Sequence, residues 1–186
     1  FSYDESKDKI FLQVDKLDYE FLYVGSLASG VGSNDIGLDR GQLGSERLVK
    51  FIKKGNKLLL VEPNLYFRSE TKNISEKKSV EQAFAKSVIF GFEIIETNDN
   101  HYLIDFTPFL MFDRHGVAKR LRDTKQGSYK IDKTKSAIEI NNTKSFPENV
   151  EFEALLTFSG EAKGNLIRSV TPDPDNVTVF QHHSFI

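Results

Sequence analysis

Apolar and polar positions alternate with a period near two through much of the chain. That repeat places successive side chains on opposite faces of a strand. Residues 10–14 and 17–24 show it first. RLVKFIKK and KLLLVE flank Gly55-Asn56, so residues 47–62 are predicted to form a hairpin whose turn uses the positive φ open to Gly and Asn. Residues 65–68 are predicted to extend it beyond Pro63. VIFGFEIIE and HYLIDF predict a second hairpin around residues 97–100. Residues 129–132, 137–140, 150–158 and 177–186 complete the predicted strands.

The pattern shifts toward a helical period in a few places. Ser79-Val80-Glu81-Gln82 reads as a capping box, and Val80, Ala83, Phe84 and Val88 share one helical face. A short helix over 80–87 is predicted. Thr107-Pro108 predicts another start, with Thr as cap and Pro at the first helical position. Short helices over 109–112 and 117–121 would break at Gly116. Six of the twelve glycines fall between Gly25 and Gly44, which predicts a long irregular loop, the kind that more often serves a function or an interface. Residues 160–176 read as a polar turn region. The sum is an α+β fold, predominantly antiparallel β with two or three short helices, in a single domain over residues 1–186.

Composition changes this picture little. The 186 residues are 39% hydrophobic and 28% charged, as in an ordinary globular chain. A net charge of −2 gives no global pull toward nucleic acid or an anionic membrane. Sixteen Phe and no Trp favour strands around a bulky core. Without Cys, disulfides, thiolate catalysis and Cys-rich zinc sites are excluded. No apolar run reaches the roughly 20 residues of a membrane-spanning helix. The opening FSYDESKDK carries neither an initiator Met nor a signal peptide, and the chain ends within a predicted strand, so it reads as a piece of a longer polypeptide.

Candidate chemistry starts with four histidines, His101, His115, His182 and His183. A zincin needs two His four residues apart on a helix with a Glu between them to polarise water, and none of the four has that context. His182-His183 lies in VTVFQHHSFI, a predicted strand, so the pair should face opposite sides and chelate one ion poorly. A packing or interface role is the simpler reading. A single His could still join a site completed elsewhere, and a self-contained metal-dependent hydrolase using His101, His115, His182 or His183 is the remaining alternative. In the Gly-rich loop, Gly32 and Gly37 have P-loop spacing, but Leu38 replaces the Lys; Gly30 and Gly32 open a dinucleotide fingerprint that Asp35 breaks. Asn34, Asp35 and Asp39 offer oxygens to calcium without the EF-hand order, and otherwise read, with Arg40, as turn or surface-pairing residues. No nucleophile elbow is present. Arg114, Lys119, Arg120, Arg122 and Lys125 are flanked by Asp113 and Asp123 and lack interleaved aromatic residues, which suits a solvated helix face and not a nucleic-acid site. Sequons begin at Asn73, Asn141 and Asn176. No catalytic, cofactor-binding or metal-binding residue is assigned.

Six stretches carry a family likeness: GSNDIGLDRGQLGSERLVKF, GNKLLLVEPNLYFR, SVEQAFAKSVIFGFEI, HGVAKRL, SAIEINNTKSFPENVEFEALLTF and VTPDPDNVTVFQHHSFI. In this order they resemble the domain of unknown function in the N-terminal half of large bacterial zinc-dependent metalloproteases. The resemblance runs from about Phe11 to the end. It implies an exported protein, periplasmic or at the cell surface, in which a metzincin-like catalytic domain follows. The parent would be a zinc-dependent metalloendopeptidase. This segment would be its non-catalytic accessory domain, needing no cofactor itself, with zinc in the downstream domain. Its expected partner is that catalytic domain, and a peptide substrate is a further one; nucleic acid and a membrane span are not expected. The alternative is a binding module for an extracellular peptide or polysaccharide, using a free sheet edge or a Tyr and Phe platform.

Overall fold

A computed structural model describes all 186 residues. The chain is mostly antiparallel sheet with four short α-helices, and none of its helices is long and apolar enough to cross a membrane. It forms two compact units, each drawn from separated stretches. Unit 1 comprises residues 1–11, 23–46 and 106–186; unit 2 comprises 12–22 and 47–105. After β1 (Ser2–Asp4), the strands β2 (Lys9–Val14), β3 (Glu20–Ser29) and β4 (Leu43–Lys54) each give residues to both units.

Unit 2 contains both predicted hairpins. β4 pairs with β5 (Lys57–Glu62), which pairs with β6 (Ser87–Asn98), which pairs with β7 (His101–Asp105). Gly55 takes φ 58° in the first turn, while Asn56 does not need the positive region. Asp99 takes φ 51° in the second, a conformation that Asn and Asp tolerate better than bulkier residues. Leu58, Leu60, Val61, Phe92 and Ile104 are buried.

The helix of unit 2 is not where the Ser79 motif predicts it. α1 runs Ile74–Ala83, with Asn73 as its cap: the Asn73 side-chain oxygen accepts from the amides of Ser75 and Glu76. Asn is as good a cap as Ser, so the earlier competent residue wins and Ser79 lies mid-helix. Ser87 already belongs to β6. Residues 65–68 do not extend β5. Asn64 folds them into a turn, its Oδ1 accepting from the amides of Tyr66 and Phe67, both at 3.1 Å.

Unit 1 is organised on β11 (Val150–Ala162). One edge of β11 pairs with β12 (Asn176–Phe185), which pairs in turn with β3. The other edge pairs successively with β10 (Lys144–Ser145), β9 (Ala137–Ile138) and β8 (Gly127–Ile131). A bulge between Phe180 and Gln181 shifts the register of β12 on β3. The core is aromatic: Phe106, Phe109, Phe152 and Phe158 are fully buried, and the Phe106 ring lies 5.1 Å from Phe109 and 5.2 Å from Phe152. Such pairs add to burial through ring geometry.

The predicted irregular loop is shorter and better ordered than its glycines suggest. Residues 25–29 belong to β3 and residues 43–44 to β4. Between them, the amides of Val31 and Gly41 donate to the carbonyls of Leu38 and Leu27, and Val31, Ile36 and Leu38 are buried. A Cβ on Gly30 would lie 2.2 Å from the Leu38 oxygen, so this close approach needs Gly.

Three local predictions change in unit 1. α2 covers Thr107–Leu110, with Phe106 at the cap position; Thr107 is already helical, and its Oγ1 accepts from the Ile10 amide at 2.9 Å. α3 covers Val117–Asp123, where the Asp113 carboxylate accepts from the amides of Gly116, Val117 and Ala118. Residues 160–176 include the end of β11 and α4 (Asn165–Val170); Gln126 Oε1 accepts from the Ile167 amide at 3.0 Å.

Candidate functional site

The structure disperses the histidines. His101 is exposed in unit 2, with Nδ1 2.6 Å from Asp15 Oδ1. His115 precedes α3 in unit 1; its Nδ1 is buried without a partner, and burial pulls its pKa down against the opposing pull of Asp113. His182 and His183 obey strand alternation. His182 lies between two β11 carboxylates, 2.8 Å from Glu151 and 3.2 Å from Glu153, and is partly exposed, whereas His183 is fully buried. No group of three or more His, Asp or Glu is placed to hold a metal ion.

His183 belongs to a closed polar clasp. Gln181 Oε1 accepts from the amides of Arg114 and His115, at 2.8 and 2.9 Å, and Gln181 Nε2 donates to the Phe112 carbonyl. Those backbone partners cannot exchange roles, so the amide orientation is fixed. The same Nε2 faces His183 Nε2 at 3.1 Å, which must therefore accept; Nδ1 then carries the proton and donates to the Tyr23 hydroxyl at 2.9 Å. Burial, with the charges of His182 and Arg114, holds His183 down to about 3. It is neutral at physiological pH, a packing residue as its sequence position suggests.

Several of the remaining sequence candidates have structural roles, while others are simply exposed. Asn34 and Asp35 are exposed, and the Asp39 carbonyl accepts from Gln42 in a turn. The guanidinium of Arg114 lies 4.5 Å from the ring centres of Phe109 and Phe112, Arg120 Nε donates to the Ile36 carbonyl, and Lys119 pairs with Asp123. Asn73 caps α1, Asn141 lies in a 3-10 turn, and Asn176 accepts from Lys135 and Ser159.

Sequence reasoning missed the concave site of unit 2. A cleft of about 350 Å³ is lined by β4, Val61 of β5, the β5–α1 connection, α1, Phe84, Lys86, Asp18 and Glu20. Asn64 shapes its rim: besides holding the turn, its Nδ2 donates to the Ala85 carbonyl at 3.2 Å, tying the two ends of the α1 excursion together. Phe67 then stacks on Phe84, with centroids 4.0 Å apart and planes 6° from parallel. Six cationic side chains line the cleft against three carboxylates. Two carboxylates are occupied: Asp18 by Lys50 at 3.1 Å, and Glu20 by Arg68 at 2.8 Å. Lys54, Lys77 and Lys86 are exposed and belong to no ion pair. Beside the cleft, Tyr66 is 94% exposed and Ile74 82%, and α1 buries none of its residues. The local signal was the Asn after Pro63 in PNLYF, an Asx turn that presents three large apolar side chains.

The family model for a domain of unknown function, DUF5117, matches residues 41–186. The chain belongs to the DUF5117 family. The matched region carries the hairpins and helix of unit 2, the aromatic rim and unpaired lysines of the cleft, and the whole His183 clasp except Tyr23. No curated protein and no solved structure matches the chain.

Proposed function

We propose that this DUF5117 chain is a non-catalytic accessory domain of an exported bacterial zinc metalloprotease, and that it packs on the catalytic domain following it. The observation that carries the docking role is the set of large apolar side chains left exposed in the β5–α1 segment of unit 2. Leu65, Tyr66, Phe67 and Ile74 are exposed around a helix with no buried residue. Several large apolar side chains left exposed in one short segment suit an interaction site. The likeness of the six stretches to the metalloprotease N-terminal half supplies the parent. The catalytic zinc belongs to the downstream domain in this reading, and no zinc step is assigned to this segment.

The test is to produce the catalytic part with and without residues 1–186. Lower thermal stability or slower peptide turnover on removal is the expected result. Identical stability and turnover would sink the reading. A second reading, a binding module for an extracellular peptide or polysaccharide, draws on the same exposed aromatics. Strand addition is the weaker mode for it, because the end strands β1, β10, β9 and β8 have only three, two, two and five residues.

A further inference from the structure

We infer that the unit 2 cleft recognises an acidic polypeptide segment carrying an apolar anchor, with Lys54, Lys77 and Lys86 facing its carboxylates and Phe67 and Phe84 receiving the anchor. This rests on the docking reading and adds the chemistry of what docks.

The electrostatic part follows from local imbalance. The whole chain carries −2, yet the cleft lining has six cations and three carboxylates. Lys50 and Arg68 already serve Asp18 and Glu20. Lys53 lies 6.0 Å from the Tyr102 ring centre. Lys54, Lys77 and Lys86 come from β4, from α1 and from the entry to β6, so they reach the cleft from separate elements. Like charges converging on a concavity repel one another and focus a field that attracts an anion. Four consecutive features of the rim, the Asn73 cap, the Asn64 turn, the Asn64 tie to Ala85 and the Phe stack, hold that geometry without burying α1.

Three observations select a polypeptide among anions. The site is concave, whereas a bilayer presents a flat surface. Phe67 and Phe84 stack face to face, which leaves each ring one outer face and its edge as a hydrophobic seat for an apolar side chain. About 350 Å³ lies near the lower end of ligand-site volumes and fits a few side chains of one segment.

The probe is a fluorescently labelled peptide of alternating Glu and Phe, titrated with the 186-residue chain. Comparison probes are a Gln/Phe peptide, a Glu/Ser peptide, heparin and phosphatidylserine vesicles. Saturable binding of the Glu/Phe peptide is expected, at least about tenfold tighter than either comparison peptide and weakened by salt. The triple variant K54E/K77E/K86E should lose about tenfold or more, and Phe67→Ser should lose affinity for the Glu/Phe peptide without changing its salt dependence. All four positions are exposed, so circular dichroism should show intact folds. The inference is overturned by no saturable binding up to about 1 mM, by equal binding to the triple variant, or by heparin or vesicles binding more tightly than the Glu/Phe peptide. Any of these would leave the truncation test of the accessory-domain reading intact.

Discussion

Both units bury aromatic residues, Phe51 and Phe92 in unit 2 among them, and both leave others exposed, but they differ in what the exposed ones stand beside. In unit 1, Phe106, Phe109, Phe152 and Phe158 are fully buried, and polar residues entering that interior, such as Gln181 and His183, are bonded to fixed partners. In unit 2, the sheet buries its own core, but Tyr66, Phe67 and Phe84 stand outside it, beside a helix that buries nothing. A residue that is structural should be costly to remove and indifferent to a ligand. A residue kept on display should cost little in stability and matter only when something binds. The buried rings of unit 1 are expected to carry stability and the proposed cleft of unit 2 to carry recognition, and each expectation can be broken separately.

The largest expected effect is in unit 1. Phe106→Ala should destabilise the chain by about 3–5 kcal/mol in denaturant unfolding, the usual loss for deleting a fully buried Phe. A loss below about 1 kcal/mol would mean that the aromatic core does not hold this unit together.

The His183 clasp predicts the next effect. The folded state holds His183 down to about 3, whereas an unfolded His titrates near 6.5. The unfolded chain therefore binds more protons at acid pH, so stability contributed by this group is level above about pH 6.5 and falls as pH drops toward 3. The loss at pH 5 relative to pH 7 should be about 2 kcal/mol. A His183→Gln variant should show a correspondingly shallower acid dependence, checked by urea unfolding across that range. Equal slopes in the two proteins would contradict a neutral buried imidazole.

Smaller effects belong to unit 2. Asn73→Ala removes the side-chain acceptor of two α1 amides and should cost about 1 kcal/mol, seen as faster hydrogen exchange over residues 74–83. If Ser79 were the true cap, Ser79→Ala would carry that loss instead. Tyr66→Ser should change stability by no more than about 0.5 kcal/mol, because its side chain is almost wholly exposed. A large loss there would turn the displayed surface into a structural one.

How much of this the sequence disclosed follows from how local each signal is. The hairpins of unit 2 were legible because period-two alternation meets a turn at Gly55-Asn56, all within adjacent residues. The opposite facing of His182 and His183 was legible for the same reason. α1 was misplaced because two Asn/Ser caps compete within a few residues, and a helix that buries no face has no apolar period to reveal its start. α4 was invisible because its first turn is satisfied by Gln126, distant in sequence. The cleft was illegible for a stronger version of that reason: its three unpaired lysines belong to separate elements, and only the fold brings them to one concavity.

The assignment of recognition to unit 2 is tested most directly by hydrogen exchange on the 186-residue chain with and without the Glu/Phe peptide. Slower exchange confined to residues 50–54 and 64–86, with unit 1 unchanged, is the predicted result. Protection that falls on unit 1, or is spread evenly over both units, would contradict it.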